Sequence, residues 1–139
     1  MDTKARNYLS LARKGGMAEL GEEPVGGAAR AGKAYVVIVA SDASDHTWRR
    51  AKSFVAGTAQ QCIRLPYTKD EMGMAIGRDC LAIAAITDCP MALALVKALP
   101  QPEKYAEALQ LLTEKAAKMK KRQSEAKAHQ KNVRTGKKK

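Results

Sequence analysis

Several chemistries are excluded by what this 139-residue sequence does not contain. There is no Gly-x-Gly-x-x-Gly, no Walker-type loop and no Ser/His/Asp arrangement, and Gly26-Gly27 is too little glycine for a phosphate-cradling loop. The two histidines, His46 and His129, have no cysteine or acidic partner at metal-ligand spacing, so neither a metal site nor a cofactor is expected. Cysteine is scarce: Cys62, Cys80 and Cys89 are odd in number and lie in or beside apolar segments, with no Cys-x-x-Cys. That usage suits a reducing compartment and buried thiols better than disulfides. No apolar run approaches membrane-spanning length, and the opening MDTKARNY has no apolar signal region, so a cytoplasmic protein without membrane contact is expected.

What is abundant is positive charge, and its placement matters more than its total of +11. From Lys115 to Lys139 there are 11 Lys/Arg (Lys115, Lys118, Lys120, Lys121, Arg122, Lys127, Lys131, Arg134, Lys137, Lys138 and Lys139) against one acid, Glu125. Residues 1–114 carry 14 basic and 13 acidic residues, a net of +1. A nearly neutral body with a cationic tail points to polyanions, nucleic acid ahead of anionic membrane, with the tail lysines and arginines as nonspecific phosphate contacts. Tail composition alone also fits a solubilising extension that binds polyanions without selectivity.

The body is organised around AYVVIVASD, Ala34 to Asp42. The apolar run Tyr35 to Ala40, rich in β-branched residues and bounded by Gly-Lys and Ser-Asp, reads as a strand buried on both faces and so requires helices on both sides. Before it, residues 4–14 hold Ala5, Tyr8, Leu9 and Ala12 at helical spacing, stopped by Gly15-Gly16. Met17 to Leu20 reads as an edge strand. Gly21-Glu22-Glu23-Pro24 opens a helix, with two acids where the dipole favours them. That helix, Val25 to Ala31, is expected to be short or mobile, because Gly26 and Gly27 cost about 1 kcal/mol each against alanine. Ser44 caps Asp45 to Ala56, with Trp48, Ala51 and Val55 inward and Arg49, Arg50 and Lys52 outward. Gln61 to Leu65 is a strand, Lys69 to Ile76 a helix capped by Thr68, Leu81 to Ile86 a second apolar strand, and Met91 to Leu99 a helix. The order specifies an α/β fold, a three-layer α/β/α sandwich with a central four-stranded sheet over residues 1–99. Past Pro100 and Pro102, Tyr105, Leu109, Leu112, Ala116 and Met119 form one apolar stripe on an added helix, residues 100–121, which serves its own domain or a partner. Residues 122–139 are a basic tail expected to be disordered when free.

The blocks Gly21-Glu22-Glu23, Arg30-Ala31-Gly32-Lys33-Ala34, VVIVASDAS, YTKDEMGMAIG (residues 67–77) and AITD resemble, in order and spacing, the kink-turn RNA-binding family of ribosomal protein "L-seven-Ae", and most of all its small bacterial YlxQ-type branch. The likeness covers residues 5–99. It implies the same α/β/α sandwich, no enzymatic activity, and structured ribosomal or other non-coding RNA as partner, with possible ribosome association and a monomer or weak dimer. It further implies an RNA site made of Gly21, Glu22 and Glu23 at the second helix start, Arg30 and Lys33 later in that segment, and the loop Thr87, Asp88, Cys89, Pro90 and Met91. A helix N-terminus offers free N–H groups to phosphate or base edges, and a glutamate there can accept from guanine. The chain departs from the family pattern at Glu22, where strong kink-turn binders carry asparagine although YlxQ-type proteins share the acid, at Gly27, where the family usually has an RNA-contacting lysine, and at Pro24 and Gly26, which alter the helix that presents the site.

Residue by residue, blander roles stand beside these. The dipole alone explains Glu22 and Glu23, and adjacent residues at a helix start point apart, which disfavours a general acid/base pair. Arg49, Arg50 and Lys52 fit a solvated helix face or an RNA contact. A protein-interaction module on the same fold, working through the Tyr105–Met119 stripe, is the alternative to an RNA binder. An enzyme has no basis in the sequence.

Overall fold

The computed structural model describes residues 3–119. The tail cations Lys120, Lys121, Arg122, Lys127, Lys131, Arg134, Lys137, Lys138 and Lys139, and the tail segment 122–139, lie outside the described residues. Among the described residues, four strands form one mixed sheet: β1 (Ala18–Leu20), β2 (Val36–Val39), β3 (Gln61–Arg64) and β4 (Ile83–Ile86), ordered β1-β4-β2-β3. β2 runs parallel to β3 and antiparallel to β4, with Val36 opposite Ile86 and Val39 opposite Ile83; β1 runs antiparallel to β4 at the sheet's edge. Every residue of β2 and β4 is buried, as the continuous apolar runs require.

Helices cover both faces: α1 (Thr3–Lys14), α2 (Glu22–Arg30), α3 (Asp45–Val55), α4 (Lys69–Ala75) and α5 (Cys89–Lys97). α2 packs on β1 and β4 and against α3, which covers β2 and β3, while α1 packs with α4 and α5. The expected three-layer sandwich is what forms. Local chemistry sets most helix starts. Ser44 Oγ accepts from Thr47 N at 3.2 Å. Thr68 and Glu71 form a reciprocal capping box, and Asp42 Oδ1 accepts from Lys69 N at 2.8 Å. Two helices begin earlier than the sequence suggests. α5 starts at Cys89 rather than Met91, because Asp88 Oδ2 accepts from Met91 N at 3.0 Å and Pro90 sits in the first turn. α2 starts at Glu22 rather than Val25, since Pro24 in its first turn lacks only an N–H that would have had no helical partner. On α3 only Ala51 is fully buried; Trp48 and Val55 are half-buried.

A left-handed Gln101 (φ 53°) and a 3-10 turn, Pro102–Tyr105, lead into a further helix, α6, over residues 106–119. Tyr105, Ala108 and Leu112 are buried in the common core, with Leu109, Ala116 and Met119 packed against it. The stripe therefore serves its own domain. α6 also shields the β3 edge: Tyr105 Oη donates to Arg64 O at 3.5 Å and Lys115 Nζ to Ala59 O at 3.4 Å.

One buried polar side chain ties the layers together. Gln60, 7% exposed, accepts from Ala34 N at 3.0 Å through Oε1 and donates through Nε2 to Ala29 O at 3.1 Å and Thr58 Oγ1 at 3.2 Å. It joins the end of α2 to the entry of β2. At Gly73 the fold leaves no room for a side chain: a Cβ would lie 2.6 Å from Cys80 Cα and 2.9 Å from Arg78 O, all backbone.

Gly73→Ala is expected to lower stability by about 2–3 kcal/mol, because rigid backbone must move; urea unfolding measures it. Gln60→Ala is expected to cost about 1–3 kcal/mol by leaving the Ala34 N–H without its acceptor, while the Ala29 carbonyl keeps its bond from Gly32 N at 3.0 Å, with a matching drop in hydrogen-exchange protection at Ala34.

Candidate nucleic-acid interface

α2 is the spine of the predicted site. Gly21 precedes it at φ 95°, a left-handed conformation that disfavours any side chain, and donates its N–H to Ile83 O at 3.0 Å. Among the described residues no side chain caps α2, so its first-turn amides stay available at the positive end of the helix dipole. Val25, Ala28 and Ala29 are buried. Glu23, Gly27 and Arg30, spaced by four and three, are exposed along one line. Among the described residues Glu23 has no ion-pair partner. Glu22 does: its Oε1 faces Arg50 Nε of α3 at 3.4 Å, both side chains being partly exposed. The pair links α2 to α3 at the surface as a charge contact rather than a hydrogen bond, since Glu22 Oε1 has no hydrogen-bond partner among the described residues.

The two glycines of α2 differ in their surroundings. A Cβ at Gly26 would meet the Phe54 ring at 3.1 Å and Arg30 Nη1 at 3.3 Å, so its smallness admits α3 and lets the Arg30 side chain lie beside Phe54. A Cβ at Gly27 would meet nothing within 4 Å, and the position is open. Beyond Arg30 the chain turns through Gly32 to an exposed Lys33, with Lys33 N donating to Ala28 O at 2.9 Å, and Gln60 holds the following Ala34.

The second predicted segment follows β4. Thr87 and Asp88 are half-buried; Thr87 N donates to Met17 O at 2.8 Å and Asp88 caps α5. Cys89 is fully buried with its Sγ toward Leu112 O at 3.8 Å, so its side chain is not at the surface. Pro90 is exposed and borders a largely apolar groove of about 760 Å³ with Tyr8, Leu93, Lys97 and Met119. Met91 is half-buried. Gly21 is level with Ile83 and Thr87 with Met17, so the α2 start and the β4–α5 loop stand at opposite ends of β4, roughly 13 Å apart at strand rise. Lys33 is at the Thr87 end, because Tyr35 N donates to Ile86 O at 2.9 Å. The site is thus a strip along α2, with the loop at its far end.

α6 brings two tail-side lysines to that same end. Lys115 lies 5.4 Å over the Tyr35 ring in addition to its bond to Ala59 O, and Lys118 is exposed at a small cavity bordered by Gly32, Tyr35 and Gln60. Lys115 is therefore a packed residue of the body as well as a cation. Gln60 has no signal in the sequence, since Ala29 and Ala34 lie far from it along the chain.

Cys62 and Cys89 are not poised as nucleophiles. Burial pushes Cys62 up to about 11 against the opposing pull of Lys52 and Arg64, and burial likewise raises Cys89. Among the described residues, no group of three or more His, Cys, Asp and Glu could hold a metal ion, and no helix is long and apolar enough to cross a membrane.

No family model matches the sequence, and no curated protein matches it. Among solved structures, the fold is similar to a protein of unknown function from Bacillus halodurans, at 24% identity and TM-score 0.64 over 69% of this chain and 96% of that one. It is also similar to the 15.5kD RNA binding protein of Giardia lamblia, at 15% identity and TM-score 0.54 over 84% of this chain and 98% of that one. At these identities the likeness is one of fold.

Proposed function

We propose that this chain is a non-enzymatic RNA-binding protein of the ribosome and translation machinery, acting in the cytoplasm, and related to the kink-turn binders of the "L-seven-Ae" family through their YlxQ-type branch. The observation that carries the reading is the exposed line Glu23–Gly27–Arg30 on an uncapped helix, in a fold shared with an RNA-binding protein. In it, the α2 amides and Glu23 take a phosphate or base edge, Arg30 and Lys33 hold the backbone, and Thr87, Pro90 and Met91 form the far rim. Asp88 and Cys89 shape that rim from within, and Glu22 links α2 to α3. Lys118 and the tail lysines add sequence-independent affinity. The alternative reading, a protein-interaction module working through the Tyr105–Met119 stripe, has less support, because Tyr105 and Leu112 of that stripe are buried in the chain's own core.

RNA affinity against salt separates body from tail, using the full chain and one lacking residues 120–139, which keeps every core residue of α6. The shorter chain is expected to retain preference for a kink-turn RNA over an unkinked duplex while its salt slope falls. In it, Glu23→Gln and Arg30→Gln should each weaken kinked-RNA binding by about tenfold, on the order of 1–2 kcal/mol. If preference vanishes and all affinity leaves with the tail, the specific reading fails. Gly27→Lys, at a position with open space, should raise affinity, steepen the salt slope by about one and leave the Tm undiminished, lysine being the better helix former; an unchanged slope would remove Gly27 from the interface.

A further inference from the structure

The outer face of α3 carries a feature that the α2 strip does not use. Lys52 Nζ and Arg64 Cζ lie 5.4 Å and 4.8 Å from the Trp48 ring centroid. Trp48 and Lys52 are one turn apart on α3, Arg64 comes from the end of β3, and Arg49 stands three residues before Lys52, hence beside it on the helix surface. Arg49, Lys52 and Arg64 are all exposed, and no acid among the described residues pairs with any of them. Arg50 differs, being engaged by Glu22 and lying over Phe54 at 5.3 Å.

A solvated face explains exposure but not this gathering. Residues 1–114 are close to neutral, yet three cations without acidic partners converge here, and like charges held together repel. Stacking on an indole keeps a guanidinium flat and its N–H edge outward, so little freedom is lost when phosphate oxygens arrive. The patch covers the β2–β3 half of the sheet, whereas the Glu23–Arg30 line covers the β1–β4 half of the same layer.

We propose that Lys52 and Arg64, held over the Trp48 ring, together with Arg49 beside Lys52 on α3, form a second nucleic-acid surface that takes the phosphate backbone of RNA, separate from the α2 strip. This rests on the RNA-binding reading, and it adds a sequence-independent contact to it.

The test uses the full chain and a kink-turn RNA with a long flanking duplex, together with the same duplex unkinked. Arg49→Gln/Lys52→Gln/Arg64→Gln is expected to reduce the log–log salt slope by about two to three on both RNAs, near 0.9 for each phosphate no longer neutralised, while preference for the kinked RNA survives. Arg49→Lys/Arg64→Lys, which keeps the charge, should keep the slope. An unchanged slope in the triple variant overturns the proposal, as does an equal reduction in the charge-preserving variant accompanied by a lowered Tm. Abolished binding to phosphatidylserine vesicles with RNA binding intact would assign the patch to a membrane and overturn it too. A vanished kink preference in Glu23→Gln or Arg30→Gln reports on the α2 strip alone, so the two readings fail separately.

Discussion

Burying β2 and β4 on both faces is the constraint from which the rest of the molecule follows. Val36–Val39 and Ile83–Ile86 present no polar side chain to either side, so a single helical layer would leave half of each strand in water. α2 and α3 must close one face, and α1, α4 and α5 the other. The alanines at the centre of β4 and the Ala28–Ala29 pair on α2 keep the contacting side chains small. The helix that bears the candidate RNA contacts is thus held by core packing, and only its outward line is available for recognition.

Local chemistry is legible in the sequence, and long-range chemistry is not. The Ser44 and Thr68 caps and the double-sided strands depend on neighbours within a few residues, and there sequence and structure agree. α2 and α5 begin earlier than apolar periodicity predicts, because Pro24 and Asp88 open helices here, whereas the same residue types equally well turn a chain. Gln60 is invisible to such reasoning, as Ala34 and Ala29 lie on other segments. Of the candidate site, the outward positions of Glu23, Arg30 and Lys33 can be anticipated. The pairing of Glu22 with Arg50 and the burial of Cys89 depend on how α2 meets α3 and how α6 covers α5, which no periodicity encodes.

Gly26 and Gly27 show how one residue type serves different ends. From propensity alone both weaken α2 equally. In place, the first lets two helices approach over Phe54, and the second is an unfilled position on the exposed line. Electrostatics divides in a similar way. Arg50 faces Glu22 across α2 and α3, while Lys52 and Arg64 lie over an indole and, with Arg49, are left to solvent.

The placement of β1 governs the order in which the chain can come together. Among the described residues its sheet neighbour is β4, so Ala18 finds Ile86 across most of the sandwich's length of chain. Emerging from a ribosome, the first strand must wait for the last, and α2 has no sheet to rest on until then, since it packs on the common face of those two strands. The candidate strip along α2 is therefore among the last surfaces to exist during synthesis, and a nascent chain stopped short of β4 would not yet present it.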